Sequence, residues 1–196
     1  MDWGAFGETF VTLVVIMDPP GAAPIFLTLT GAMSPRERRL AAVRAAGAAA
    51  GLVLLFAVLG DVLLRYLDVS LDSLSIAGGL LLLLLSLEML RGVDFPVGGS
   101  VDVALVPLAT PLVAGPGAIA TAMVLSREHD STEGRLAVLL GILAAVAVVG
   151  LTLLLADRLA RLLPQTAVHF LTRVLGLLLA AIGVELIANG VRGLAG

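Results

Sequence analysis

A carboxylate stands beside two prolines and a glycine inside an apolar run: Val14-Val15-Ile16-Met17-Asp18-Pro19-Pro20-Gly21-Ala22-Ala23-Pro24-Ile25-Phe26. A second run, Pro107-Leu108-Ala109-Thr110-Pro111-Leu112-Val113-Ala114-Gly115-Pro116-Gly117-Ala118-Ile119-Ala120-Thr121, is interrupted in the same way. Proline removes a backbone donor and clashes with the preceding turn. Glycine adopts backbone angles that other residues avoid. Each cluster therefore predicts a helix that stops and restarts. At a restart the first amides lack partners and the dipole end is positive, so it can hold a carboxylate or another small anion. Carbonyls released before the break can hold an ammonium or a cation. A zwitterion presents both charges. Asp18 is placed as an N-cap with Pro19 at the first helical position, and Thr110-Pro111 offers the same pattern. The candidate substrate-binding residues are Asp18, Pro20, Gly21, Pro24, Thr110, Pro111, Gly115, Pro116, Gly117 and Thr121. The competing reading is simple kinking for packing, since Pro and Gly are frequent in membrane helices.

An ionisable group within an apolar helix is costly and is a functional candidate by default. Asp18 can cap the break, bind a cation or carry a proton. Glu88 and Glu185, near the ends of later apolar runs, join it as candidates for coupling or ion binding, unless they only reach the headgroups. Arg44 can snorkel or pair with an acid, and Asp61 and Asp157 read as structural groups near the interface. The chain has no Cys, and His129 and His169 stand alone. No metal site and no cofactor are expected. No Ser/His/Asp set or phosphate loop is present, so an enzyme is not expected. The net charge of −3 points away from a nucleic-acid partner.

The elements that carry these residues are apolar helices. Hydrophobic residues make up 59% of the 196, and charged residues only 14%. Mean hydropathy is +1.09. A soluble domain is about 25% charged, so the composition belongs to a membrane protein. A bilayer core of about 30 Å needs about 20 apolar residues per helix, and unpaired backbone groups cannot stay in lipid. Six spanning helices are predicted, over residues 5–30, 40–66, 72–91, 103–126, 135–157 and 170–191. The start, Met1-Asp2-Trp3-Gly4, has no basic region, so the first run is expected to be retained as a helix. Gly47 and Gly51 form a GxxxG and, with Gly78-Gly79, predict close helix contact.

The two interruptions belong to a repeat. At a shift of 96 residues, Pro20-Gly21-Ala22 meets Pro116-Gly117-Ala118, Glu37 meets Glu133, Arg39-Leu40-Ala41 meets Arg135-Leu136-Ala137, Asp61 meets Asp157 and Arg65 meets Arg161. One residue further on, Gly79-Leu80-Leu81-Leu82 meets Gly176-Leu177-Leu178-Leu179, and Glu88 meets Glu185. The unit holds three helices, an odd number, so the second copy enters the membrane from the other side. The predicted fold is all-α: a single transmembrane domain over 1–196, with six helices in a 3+3 inverted repeat (1–95 and 103–196) and helices 1 and 4 broken. Eight arginines (36, 38, 39, 44, 91, 158, 161, 173) fall after helices 1, 3 and 5, and four (65, 127, 135, 192) on the opposite side. The positive-inside rule then places both termini outside the cytoplasm.

Three segments resemble a known family. Asp18-Pro19-Pro20-Gly21-Ala22-Ala23-Pro24-Ile25-Phe26 is similar to the D-P-x-G-N-x-P-I-F signature of the MarC family of bacterial integral membrane proteins. Ile76-Ala77-Gly78-Gly79 with Leu87-Glu88-Met89-Leu90 resembles its third helix. The segment from Pro107 to Ile119 looks like its P-L-A-x-P-L-x-A-G-P-G-A-I stretch, the most specific match. The resemblance spans nearly the whole chain. It implies six helices in the bacterial inner membrane and a role in moving small neutral amino acids. Two departures stand out: Ala22 replaces the family's Asn, removing an amide, and Ser75 stands where a basic residue commonly precedes I-A-G-G.

Residues and resemblance together lead to a secondary transporter that binds a small zwitterion or anion between broken helices 1 and 4. Paired Gly/Pro breaks in corresponding halves are the usual pointer to such a site. Two alternatives stand beside it: a carrier of a lipid-linked or hydrophobic anion, and a non-transporting membrane scaffold. The expected partners are the lipid bilayer and a small-molecule substrate, with assembly into identical copies left open.

Overall fold

Capping sets where the helices begin. Ser34 and Glu37 form a reciprocal box: the Ser34 amide donates to Glu37 Oε2 at 2.8 Å, and the Glu37 amide donates to Ser34 Oγ at 3.4 Å. The following helix therefore starts at Pro35, ahead of the apolar run predicted from residue 40. Ser131 likewise accepts from the Gly134 amide at 3.0 Å and starts the next long helix early. The computed structural model describes residues 2–91, 114–162 and 164–195. All regular structure among them is helical: α1 (Trp3–Met17), α2 (Pro19–Leu29), α3 (Pro35–Tyr66), α4 (Leu71–Arg91), α5 (Pro116–Glu128), α6 (Thr132–Leu154), α7 (Ala156–Leu162) and α8 (Gln165–Ala195).

Four of these, α3, α4, α6 and α8, are long and apolar enough to cross a membrane. The α1–α2 pair passes the same test jointly, bent by 41° at its break, which brings the number to five. A sixth was predicted over 103–126. Its first part lies outside the described residues, and α5 alone, at 13 residues, extends only about 20 Å.

Small residues let the backbones touch. Along α4 and α8, a Cβ added to Gly79 would fall 2.5 Å from the Gly183 carbonyl oxygen, and one added to Gly183 would fall 2.8 Å from that of Gly79. A Cβ on Gly176 would fall 3.0 Å from Met89 Cβ, and one on Gly190 would fall 2.5 Å from the Asp72 carbonyl oxygen. The helices are antiparallel, since Gly79 faces Gly183 while Asp72 faces Gly190. Helix α6 is the other central element. It packs against α1, where Gly141 meets Thr9 and Phe6, and against α3, where Gly150 meets Ala46. Ala137, Val138, Ile142, Ala145 and Val149 are buried between them.

One packing expectation fails. Gly47 and Gly51 are exposed, and a Cβ on either would meet nothing within 4 Å. The buried stripe of α3 is instead Ala42, Ala45, Ala49 and Val53. That spacing keeps one helical face inward and turns the GxxxG outward.

The loops fall at two ends. Glu8, His129, Arg65, Ser70 and Arg135 share one end with Asp72 and Gly193. Thr30, Arg38 and Asp157 share the other. Between the ends, large apolar side chains such as Val58, Val62, Leu84 and Leu177 point outward and are more than half exposed.

In purified protein, Gly79→Val should lower the apparent melting temperature or remove the monodisperse species, because overpacking costs about 1–3 kcal/mol. Gly47→Ala and Gly51→Ala should melt with the parent. Equal behaviour of the three variants would contradict the α4–α8 contact.

Candidate functional site

Asp18 makes the break. It adopts φ 39° and ψ 68°, a left-handed conformation that only Asp18 and Asp68 show among the described non-glycine residues. That conformation costs an L-residue about 1–2 kcal/mol, and Asp tolerates it when its short side chain bonds locally. Here it does so. The Asp18 amide donates to the Val15 carbonyl at 3.4 Å and closes α1. Its own carbonyl accepts from the Ala22 amide at 2.9 Å and opens α2. Its Oδ1 accepts from the Gly21 amide at 3.2 Å. Pro19 and Pro20 occupy the next two positions, where no amide would have found a helical partner. One residue thus ends one helix, caps the next and turns the axis.

Gly21 is required by space. A Cβ there would collide with Asp18 Oδ2 and stand 3.3 Å from Thr172 Oγ1 of α8. The carboxylate folds over the start of α2 into room that only glycine leaves. Thr172 Oγ1 is buried and makes no well-formed hydrogen bond. Pro24 lies inside α2 with its ring exposed. Lacking an amide, it leaves the Pro20 carbonyl without a helical donor, one turn past the break.

The start of α5 differs. Gly115 is its N-cap and no side chain caps it. Gly117 is buried, and a Cβ there would run into Leu82 Cδ2 of α4. Thr121, one turn on, is 1% exposed, and its hydroxyl has no hydrogen-bond partner. Thr9 of α1, fully buried, is in the same state. Elsewhere Thr28, Thr30 and Thr152 each donate to the carbonyl four residues back. Thr110 and Pro111 lie outside the described residues.

The two helix starts face each other in depth. Gly21 is level with Thr172 on α8, and Gly117 is level with Leu82 on α4. On the antiparallel α4–α8 ladder, where Gly79 faces Gly183, Thr172 corresponds to the last turn of α4. Gly21 and Gly117 are then separated by roughly 12 Å of depth, at about 1.5 Å per residue. Helix α2 leaves its start toward the Arg38 end, and α5 leaves its start toward the His129 end. Their positive dipole ends therefore point toward the layer between them.

Two side-chain contacts link sequence-distant segments at opposite ends. Arg38 Nη1 lies 2.5 Å from Asp157 Oδ1, while its Nη2 donates to the Thr30 carbonyl at 3.1 Å. At the other end His129 Nε2 lies 3.1 Å from Glu8 Oε2. Glu88 and Glu185 are not gathered with Asp18. Both are exposed on their helices, and Glu185 has Arg192 at 3.8 Å.

Sequence reasoning missed Thr172, Thr9, Arg38 and Glu8. For Thr172 a signal existed. At the 97-residue shift it corresponds to Ser75, a buried hydroxyl that donates to the Leu71 carbonyl. Hydroxyls in matched register were available to be read.

Comparison with known proteins agrees with the signature residues. Residues 3–195 match the profile described as MarC family integral membrane protein. A UPF0056 membrane protein of Methanocaldococcus jannaschii is 39% identical, covering 98% of both chains. The UPF0056 inner membrane protein YhgN of Escherichia coli is 33% identical, covering 93% of both. YvbG of Bacillus subtilis, also described as a UPF0056 membrane protein, is 31% identical over 95% of this chain and 94% of its own. No solved structure matches.

Asp18→Asn keeps a residue that tolerates the left-handed conformation and can still cap, so its unfolding midpoint should stay close to the parent's. Asp18→Ala loses both features and should be destabilised by about 1–3 kcal/mol, read by denaturant unfolding in detergent. Equal loss in both variants would show that the charge, rather than the geometry, holds the break.

Proposed function

The chain belongs to the MarC family of integral membrane proteins, and from that premise we propose that it is a secondary transporter binding a small zwitterion, of the neutral amino-acid class, between the starts of α2 and α5. The observation that carries this reading is the asymmetry of those two starts. That of α2 is occupied by its own carboxylate, Asp18. That of α5 has no side-chain cap and has an unpartnered buried hydroxyl, Thr121, one turn away. A solute carboxylate is the natural complement of the α5 start. Its ammonium would face Asp18. Two opposed charges across one gap select a zwitterion over a simple anion.

The packing supports a 3+3 inverted arrangement in which α2 and α5 hold corresponding places. Under exchange of the halves α2 corresponds to α5, so α2 on α6 maps to α5 on α3, and α4 on α5 maps to α8 on α2; all of these pairs are in contact. The pairs α3–α6 and α4–α8 map onto themselves. At the 97-residue shift the Gly79–Gly183 contact maps to Gly176–Ser86, and a Cβ on Gly176 would lie 3.4 Å from the Ser86 carbonyl oxygen. Inverted repeats of this kind rock about a fixed site. The Arg38–Asp157 and His129–Glu8 contacts tie one half to the other at opposite ends, as closures on the two sides of that site would. The Arg38 end carries the larger share of arginines, so the positive-inside rule favours the cytoplasmic side for it.

Purified protein in liposomes should take up labelled alanine, serine or glycine saturably above empty liposomes. Asp18→Asn and Gly117→Ala should each cut that uptake at least tenfold while remaining folded. No uptake of any of the three amino acids, or normal uptake in both variants, overturns the reading.

The chain contains no cysteine, so a single Thr172→Cys reports access cleanly. Adding Arg38→Gln should raise its labelling by a membrane-impermeant thiol reagent several-fold from the Arg38 end. Unchanged labelling would remove the Arg38–Asp157 pair from any gating role.

A further inference from the structure

One imidazole and two carboxylates meet at the α5–α6 turn. His129 is the C-cap of α5 and directly follows Glu128. Its Nε2 lies 3.1 Å from Oε2 of Glu8, which comes from α1 in the other half of the chain. The histidine backbone is held from two sides. Its amide donates to the Leu125 carbonyl at 3.1 Å, and a Cβ on Gly134 of α6 would fall 2.8 Å from its carbonyl oxygen. The His129 side chain is 23% exposed and that of Glu8 54%, so the contact is reachable from outside the protein.

Glu128 feels both members of this contact. Partial burial, and then the Glu8 carboxylate, push its carboxyl above the ordinary value, while His129 lowers it. The last turn of α5 has other charged neighbours among the described side chains, since α1, α3, α4 and α6 all pack against this helix. On α1, Asp2 caps its own helix through the Ala5 amide. Asp130 and Arg135, at the turn and on α6, pair with each other. On α4, Asp72 lies against Gly193 of α8. Arg65, Arg127 and Glu133 make interactions of their own. Carboxylates and guanidiniums ordinarily keep their charge between about pH 5.5 and 8, and histidine is the side-chain type that changes it there.

We propose that Glu8, Glu128 and His129 form a pH-sensitive tie between α1 and the α5–α6 turn, tight when the imidazole is protonated and loosened when it is neutral. A protonated imidazole makes a charge-assisted bond to Glu8 and attracts Glu128. A neutral one leaves a weaker hydrogen bond while the two carboxylates repel each other. Glu128 acts in the same direction. A carboxyl raised on folding stabilises the fold most when protonated, and that contribution fades as pH rises through its folded value. The tie joins the two halves of the chain, and its response to pH stands whatever the gap between the α2 and α5 starts carries.

Thermal melting of the purified full-length protein at about pH 5.5 and pH 8 tests this without any transport measurement. The parent should melt about 2 °C or more above His129→Gln at the lower pH, the shift expected when one charge-assisted contact is lost from a chain of this size. That gap should shrink to less than half at the higher pH. Glu8→Gln should follow the same pattern, and the double variant should lose little more than either single one, because both remove one contact. Glu128→Gln removes the second carboxylate and should stabilise more at pH 8 than at pH 5.5. His169→Gln, on α8, should differ from the parent equally at both. A gap that does not shrink in His129→Gln or Glu8→Gln, an equal pH response in His169→Gln, or a Glu128→Gln that stabilises no more at pH 8 would each overturn the proposal.

Discussion

A backbone polar group in hydrocarbon must find a partner within the protein. An unsatisfied one costs several kcal/mol in lipid. Every unusual feature of this chain follows from that constraint meeting the sequence Asp18-Pro19-Pro20-Gly21. The prolines stop a helix inside an apolar run. Asp18 repairs part of the break by bonding through its amide, carbonyl and carboxylate together. Gly21 leaves the space this needs, and α8 brings Thr172 alongside. The α5 start, whose N-cap Gly115 has no side chain, lacks the side-chain cap that Asp18 gives α2.

The rest of the fold holds those two starts at a fixed separation. Helices α4 and α8 are locked by reciprocal glycine contacts, so Leu82 and Thr172 stand at set heights. Each positions one break: Leu82 against Gly117, Thr172 beside Gly21. Helix α6 joins α1 and α3 from the centre through Gly141 and Gly150. Packing by small residues suits a medium with no hydrophobic force between helices, where van der Waals contact provides the attraction.

Much of this was legible in the residues. The apolar runs gave α3, α4, α6 and α8, because a span of about 20 apolar residues has few other meanings. The break at Asp18 was legible because Pro-Pro-Gly after an acid has a specific backbone consequence. Helix starts were read too late at Pro35 and Thr132, where the Ser34-Glu37 and Ser131 caps extend helices through polar residues. The inward face of α3 was misjudged. GxxxG is a pattern of permission for close contact, and the Ala42, Ala45, Ala49, Val53 stripe took the core instead. Thr172 was missed because its role arises only when α8 crosses the break. A long-range crossing of that kind has no local signature beyond the repeat register with Ser75.

The central claim is that the α5 start receives a solute carboxylate. Solid-state NMR can test it directly, by dipolar recoupling between ¹⁵N-labelled glycine amides of the protein in bilayers and the ¹³C-carboxylate of saturating alanine. The account predicts a contact within about 4 Å, the reach of a hydrogen-bonded amide, assigned to Gly117 and absent from Gly21, whose amide Asp18 already occupies. A bound alanine whose carboxylate shows no contact to Gly117, or contacts Gly21 instead, would contradict it.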